Sequence, residues 1–438
     1  MASISVLDFI PAALVPDIRS GTSTVDVSIY FQQAAVAANN NQTNGAGPGG
    51  TVFVPTGLYR VDQVGIRDTV FVGEGNGTII RALTAGSDEQ FMFDAMLDRD
   101  GTTPNTAGGG WCRNMVIDAN GLGRSCLRTY GGGVDAHDLK LLKGGYGLSA
   151  GLPIWARFSN IYANACGTGF HTFHAVPGDT GTSTLFSSCW ADSCTEYGFQ
   201  ILQLTYSNFV NCVAQNSGQV NFRIGDPDTN GVVVHSLQFI GCATEGPGVP
   251  FELHRARNFS LISPRIIMPA STIVDLVLLD DAQGTIAEYS TPGVAPGQRH
   301  LNVVNHAAGQ ASILVLNSAI TYAPGIEPYL TIVGPTSRFK DLMTDGIRWH
   351  GPLPAEEFSS AVAPIDGYTG LTLTSDGQRV AAFRRIGTPI FRTNGSIIDP
   401  SNSLTPGEVS FWIAGTTLSF AGKDENNVLR TFELTAIP

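Results

Sequence analysis

Charged side chains are scarce in this sequence: Asp, Glu, Lys and Arg make up 14% of its 438 residues, against roughly 25% in an average globular protein. With 43% apolar residues, that scarcity excludes a disordered acidic protein, because a core can be buried. Basic residues are outnumbered, 25 Lys and Arg against 37 Asp and Glu, for a formal net charge of -12. A protein that wraps nucleic acid needs a basic footprint, and none is present. No apolar run approaches the ~18–20 residues that span a bilayer, so membrane insertion is not expected. The opening MASISVLDFI lacks the basic segment and long apolar stretch of a secretory signal. The seven cysteines lie between Cys112 and Cys242 and form no CxxC pair. An odd count without metal-type spacing argues against a disulfide framework and against a zinc site. They read as small buried hydrophobes, and no metal or other cofactor is expected. Glycine, by contrast, is abundant at 51 residues, against a typical ~7%. Without collagen periodicity this means many tight turns, and so an all-β chain of short strands. The length calls for several domains or one elongated repetitive domain.

A repeat sits in the middle of the chain. Four segments align over seven positions: FSNIYAN from Phe158, FSSCWAD from Phe186, FVNCVAQ from Phe209 and FIGCATE from Phe239. Their spacings of 28, 23 and 30 residues fall in the range of solenoid repeats. The first position is always Phe. The third is Asn160, Ser188, Asn211 or Gly241, residues that tolerate a bend and left-handed backbone. The bend resets the period-two alternation, so positions one, four and six all point inward. After a further turn each segment reaches another aromatic, Phe170, Phe199, Phe222 or Phe251. Matching residues stacked at a repeat period are what the coils of a parallel β-helix require, since each coil buries its face against its neighbours. WCRNMVIDANG from Trp111 and GVDAHDLKLLKGGYGL from Gly133 read as earlier coils. RNFSLISPRII and the stretch around Val274–Leu279 read as later ones. WHGPLPAEE (Trp349 to Glu357) is the expected domain boundary, followed by a small β domain of alternating segments.

Before the coils, Asp26 is the expected cap of a helix in which Val27, Tyr30, Phe31, Ala34, Ala37 and Ala38 form an apolar stripe. Such a helix can close the open end of a solenoid. SVLDF, this helix, and GGTVFVPTGLYRV followed by VFVGEGNGTII resemble the opening of pectate-lyase-like β-helix proteins, especially bacteriophage tailspikes. The resemblance covers about residues 4–82. It departs from the family opening, usually D-F-G followed by G-D-G and paired Asp: here Ile10 follows Phe9, and only Asp26 remains of the pair. It implies an all-β, right-handed, single-stranded parallel β-helix (pectin-lyase-like), with a cap and first coils over 1–82, the helix over 83–350 and a C-terminal β domain over 357–438. It also implies a homotrimer in the virion, joined to a phage tail or baseplate protein, that binds and often cleaves a bacterial capsule or lipopolysaccharide O-chain. No virion-binding head precedes the opening, so a short N-terminal attachment is an alternative to truncation. Neither an RxPxxR segment nor the NTD, DD and GHG set of polygalacturonases occurs, so pectin chemistry is not expected. The fold hosts hydrolases, lyases and adhesins alike.

Chemistry is expected on the outward columns. The seventh position is polar throughout: Asn164, Asp192, Gln215 and Glu245. Asp192 and Glu245 lie two coils apart, roughly 10 Å at ~4.8 Å per coil. That is near the ~6.5–9.5 Å at which two carboxylates act as acid and base in inverting glycoside hydrolysis. Glu196 is a third catalytic candidate, and Glu252 lies two residues before His254. The fifth position holds Tyr162 and Trp190, aromatic faces able to stack on a pyranose ring or to pack in a trimer interface. Arg223, His254 and Arg255 are basic candidates for sugar carboxylates or phosphates. An ordinary solvent-facing ladder competes with all of these. His171 and His174 lack an evident third metal ligand. GDPDTNG (Gly225 to Gly231) resembles half a calcium loop, but Leu237 stands where an EF-hand needs Glu. The expected activity is hydrolysis of a surface polysaccharide, with a polysaccharide lyase and a non-cleaving adhesin as alternatives.

Overall fold

The computed structural model describes residues 4–40, 49–97, 109–173, 180–225, 234–269, 272–289, 297–304 and 313–316. It also describes the backbone of seven short strands between 330 and 435. The chain forms two compact units, residues 1–310 with 320–323 and residues 311–319 with 324–438.

The first unit is a right-handed parallel β-helix. The coils contribute strands to three parallel sheets, in which strands pair in parallel with their counterparts in the adjacent coils. In the first sheet Ala136, Phe158, Phe186, Phe209, Phe239, Leu261 and Ile286 lie in one register. In the second, Leu141, Ala163, Ala191, Ala214, Thr244 and Ile266 do so. In the third the column is Leu148, Phe170, Phe199, Phe222, Phe251, Val277 and Leu301. All three columns are buried, so the aligned positions of the repeat face the core as the sequence pattern requires.

The bend residues explain how one chain feeds three sheets. Asn160, Ser188, Asn211 and Gly241 have φ of 52°, 52°, 51° and 62°, the left-handed conformation expected of the third position. Small polar residues and Gly accept it at least cost. Beyond three of these bends a buried thiol closes the corner, and buried Ile161 takes that place after Asn160. Cys189, Cys212 and Cys242 donate through Sγ to the carbonyls of Phe158, Phe186 and Phe209 one coil earlier, at 3.4, 3.5 and 3.4 Å. All seven cysteines are buried and free. Within the core the Phe rings of the first sheet stack on one another at 4.7–4.8 Å. They meet the Phe rings of the third sheet edge-on at 6.0–6.5 Å.

A helix, Ser28–Asn40, closes the N-terminal end. Asp26 Oδ1 accepts from the Ser28 N–H at 2.9 Å, as a cap should. Val27, Phe31, Ala34, Ala35 and Ala38 are buried, whereas Tyr30 and Ala37 are half-buried, so the stripe is rotated slightly from the expected one. Phe31 packs against Tyr59, Phe71 and Phe93 of the first coils. RNFSLISPRII and the segment around Leu276–Leu279 form strands of later coils. The second unit contains a three-stranded antiparallel sheet, Val409–Ala414, Thr417–Lys423 and Leu429–Thr435. The Pro/Gly break after Trp349 lies outside the described residues.

Candidate functional site

Tyr162, Trp190 and Asp192 converge on the exterior of the second sheet. The strand Trp190–Asp192 pairs with Arg157–Asn164 on one side and Val213–Gln215 on the other. Tyr162 and Trp190 are therefore direct neighbours, as are Asn164, Asp192, Gln215 and Glu245 in sequence along the axis. The two rings meet edge-on at 5.7 Å, and Trp190 is 43% exposed. Asp192 is held from four directions. Tyr162 Oη donates to its Oδ2 at 2.9 Å and Asn164 Nδ2 to the same oxygen at 3.2 Å. Ser193 Oγ and Asn216 Nδ2 reach its Oδ1 at 2.9 and 3.4 Å. Partial burial works against the charge, but hydrogen bonds from Gln215, Tyr162, Ser193 and Asn216 outweigh it and keep the carboxyl below its ordinary range. Burial, and then the neighbouring Asp192 carboxylate, push the Tyr162 phenol up to about 12, so it remains a proton-bearing donor. Glu245 is half-buried in the same outward column, two strands from Asp192.

Glu196 does not join this group. It is exposed at the turn from the second sheet to the third, where its N–H donates to Gly167 and its carbonyl accepts from Gln219 and Val220. The basic candidates lie on the third sheet. Arg223 sits in register between Gln200 and Glu252. Its guanidinium lies 5.0 Å from the Tyr197 ring centre, with Nη1 donating to the Tyr197 hydroxyl, while its Nε is buried without a hydrogen-bond partner. His254 is bracketed by carboxylates: Nδ1 is 3.0 Å from Asp280 Oδ2, and Nε2 is 3.4 Å from Glu252 Oε2. Burial disfavours its charge, but Glu252 and Asp280 more than compensate and raise it above its ordinary value. Arg255, at φ 50°, begins the following bend, and its N–H donates to the Asp280 carbonyl at 2.8 Å.

The eight residues singled out in the sequence thus divide between two faces, with Glu196 at the corner from the second sheet to the third and Arg255 at the bend from the third sheet to the first. Sequence reasoning missed Asp280, the partner that fixes the His254 ring, because 26 residues separate the two and coil lengths vary. His171 stacks on Tyr146 at 4.7 Å, and burial lowers it to about 4. His174, and Asp226 and Asp228 of the GDPDTNG loop, lie outside the described residues. Among the described residues no group of three or more His, Cys, Asp or Glu could hold a metal ion.

No protein family and no curated protein matches the sequence. Among solved structures the chain is similar to the A-module of mannuronan C-5 epimerase AlgE6 from Azotobacter vinelandii. The identity is 15% and the TM-score 0.50, over 76% of this chain and 98% of that one. It is also similar to ORF18 of Geobacillus virus E2 (13% identity, TM-score 0.46, 99% of this chain and 86% of that one). A third is tailspike protein 3 of bacteriophage CBA120 (10%, 0.38, 76% and 62%). What is shared at these identities is the β-helix fold.

Proposed function

We propose that this chain is a polysaccharide depolymerase of the tailspike kind, which binds a bacterial capsule or O-chain along its second sheet and hydrolyses a glycosidic bond. The observation that carries the reading is the contiguous trio of exposed Trp190, Tyr162 and a carboxylate, Asp192, that Tyr162 helps to hold ionised. A ring face beside a fixed anion suits a pyranose, whose apolar C–H face stacks while its hydroxyls donate. A carboxyl kept below its ordinary range is ionised at neutral pH, so it holds no proton to donate and is left the role of base. Asp192 therefore takes the proton from water as the oxygen bonds to the anomeric carbon, and Glu245 protonates the departing glycosidic oxygen. Assembly as a homotrimer on a phage tail belongs to the same proposal. Sedimentation should then give about three times 46.3 kDa, and a clean monomer at micromolar concentration would count against it.

Replacing Asp192 or Glu245 by the amide tests the catalytic assignment. General acid–base assistance is worth ~10²–10⁴-fold, so Asp192→Asn and Glu245→Gln should each lose roughly a hundredfold or more while polysaccharide binding persists. Full activity in both variants would dismiss the pair. A lyase is the second reading, favoured by Arg223 and His254 on the third sheet. The half-buried Arg223 guanidinium suits a uronate carboxylate, whose neutralisation eases removal of the adjacent proton. Unsaturated uronate ends absorbing in the ultraviolet would select that reading.

A further inference from the structure

Trp155 and Tyr206 are the two most exposed large hydrophobic side chains among the described residues, at 77% and 69%. They occupy the same structural position. Gly133, Trp155, Ser183, Tyr206 and Ser236 all have left-handed backbone, with φ of 70°, 52°, 55°, 46° and 54°. They form the bend that leads from the third sheet back to the first. Adjacent members are joined coil to coil: the Gly133 N–H donates to the Ile154 carbonyl, that of Trp155 to Thr182, and that of Ser183 to Thr205. Trp155 and Tyr206 are thus two coils apart, about 10 Å along the axis, with exposed Ser183 between them. At such a bend Gly, Ser and Asn are the low-cost residues, and a bulky side chain at positive φ is an outlier. Neither ring recovers that cost by burial, so stability does not account for them.

We propose that Trp155 and Tyr206 are a second polysaccharide-binding ridge, remote from the Asp192 face, which grips a glycan chain lying along the helix axis. The inference rests on the depolymerase reading. The rings act as two platforms for pyranose faces. The hydroxyls of Thr182 and Ser183, 3.4 Å apart, lie between them, where they meet the polar rim of the sugars. A protein partner fits poorly, because two rings offer ~150–250 Å² each, well short of the ~800 Å² per partner of a stable interface. Their neighbours in the bend are Gly and Ser, which leaves no continuous apolar patch.

The test uses Trp155→Asn and Tyr206→Asn, since Asn keeps the backbone conformation and removes the ring. Purified capsular polysaccharides and O-chains immobilised as an array are the probe, with the wild-type chain as the comparison. Each ring variant should bind about tenfold more weakly to the polysaccharides that the wild-type chain recognises, with an unchanged or higher melting temperature. Unchanged affinity in both variants would overturn the ridge while leaving the depolymerase reading standing, and so would loss of native mass without loss of binding. If the wild-type chain bound no polysaccharide on the array, both readings would fall together.

Discussion

Phe209→Ala removes a ring from the interior of the four-ring stack of the first sheet. Phe209 is fully buried, lies 4.8 Å from Phe186 and 4.7 Å from Phe239 in near-parallel stacks, and meets Phe199 edge-on at 6.3 Å. Truncating a buried Phe costs about 3–5 kcal/mol. Each aromatic pair is worth ~0.5–1.5 kcal/mol beyond its buried area, which sets Phe209→Ala at the upper end. Phe158 begins the stack. It has Phe186 on one side at 4.8 Å but Ala136 in register on the other. Phe158→Ala should therefore cost less than Phe209→Ala by about two aromatic pairs, one stacked and one edge-on, ~1–3 kcal/mol. Urea unfolding followed by tryptophan fluorescence measures both, and an unchanged denaturant slope licenses the comparison. A loss below ~1 kcal/mol for Phe209→Ala, or a Phe158→Ala variant no more stable than it, would refute the continuous ring column.

The thiols should resist a small reagent in the native protein and all seven should react after unfolding, since burial pushes Cys112 and Cys212 far up; rapid labelling of the folded chain would contradict the inward register. Asn211→Ala should destabilise by roughly 1–2 kcal/mol because its φ is 51°, whereas Asn211→Gly should be close to neutral, both read from the urea midpoint. Asp192 titrates below its ordinary 3.8, so its contribution is complete above that value and is lost as pH falls through the lowered one; Asp192→Asn should flatten the acid limb of a stability–pH curve. His254 titrates above its ordinary 6.5, so its contribution is complete below 6.5 and fades as pH rises through the raised value. His254→Gln should flatten that neutral-to-alkaline limb.

The parts of the molecule that were legible in the sequence are those where one residue type recurs at one place in a coil. The Phe columns, the small third-position residues and the buried cysteines repeat because every coil solves the same packing problem. The outward columns were legible as directions only: alternation puts Asp192 and Glu245 outside, but the Tyr162 and Asn216 contacts come from neighbouring coils. Trp155 and Tyr206 escaped notice although their bend stands three residues before the first Phe of each heptad, because Trp155, Ser183, Tyr206 and Ser236 share no residue type that would mark a column. Unequal coil lengths hid Asp280 from His254. Strand pairing across coils of unequal length is set by the whole solenoid, not by local spacing.

The most direct measurement incubates the purified chain with purified capsular polysaccharides and O-chains and follows polymer mass together with reducing ends and ultraviolet absorbance. A hydrolase working from the Asp192 face should cut at least one polymer to short fragments with new reducing ends and no unsaturated product. Both signals should collapse in Asp192→Asn. Intact polymer of unchanged mass, bound but never shortened, would contradict the account.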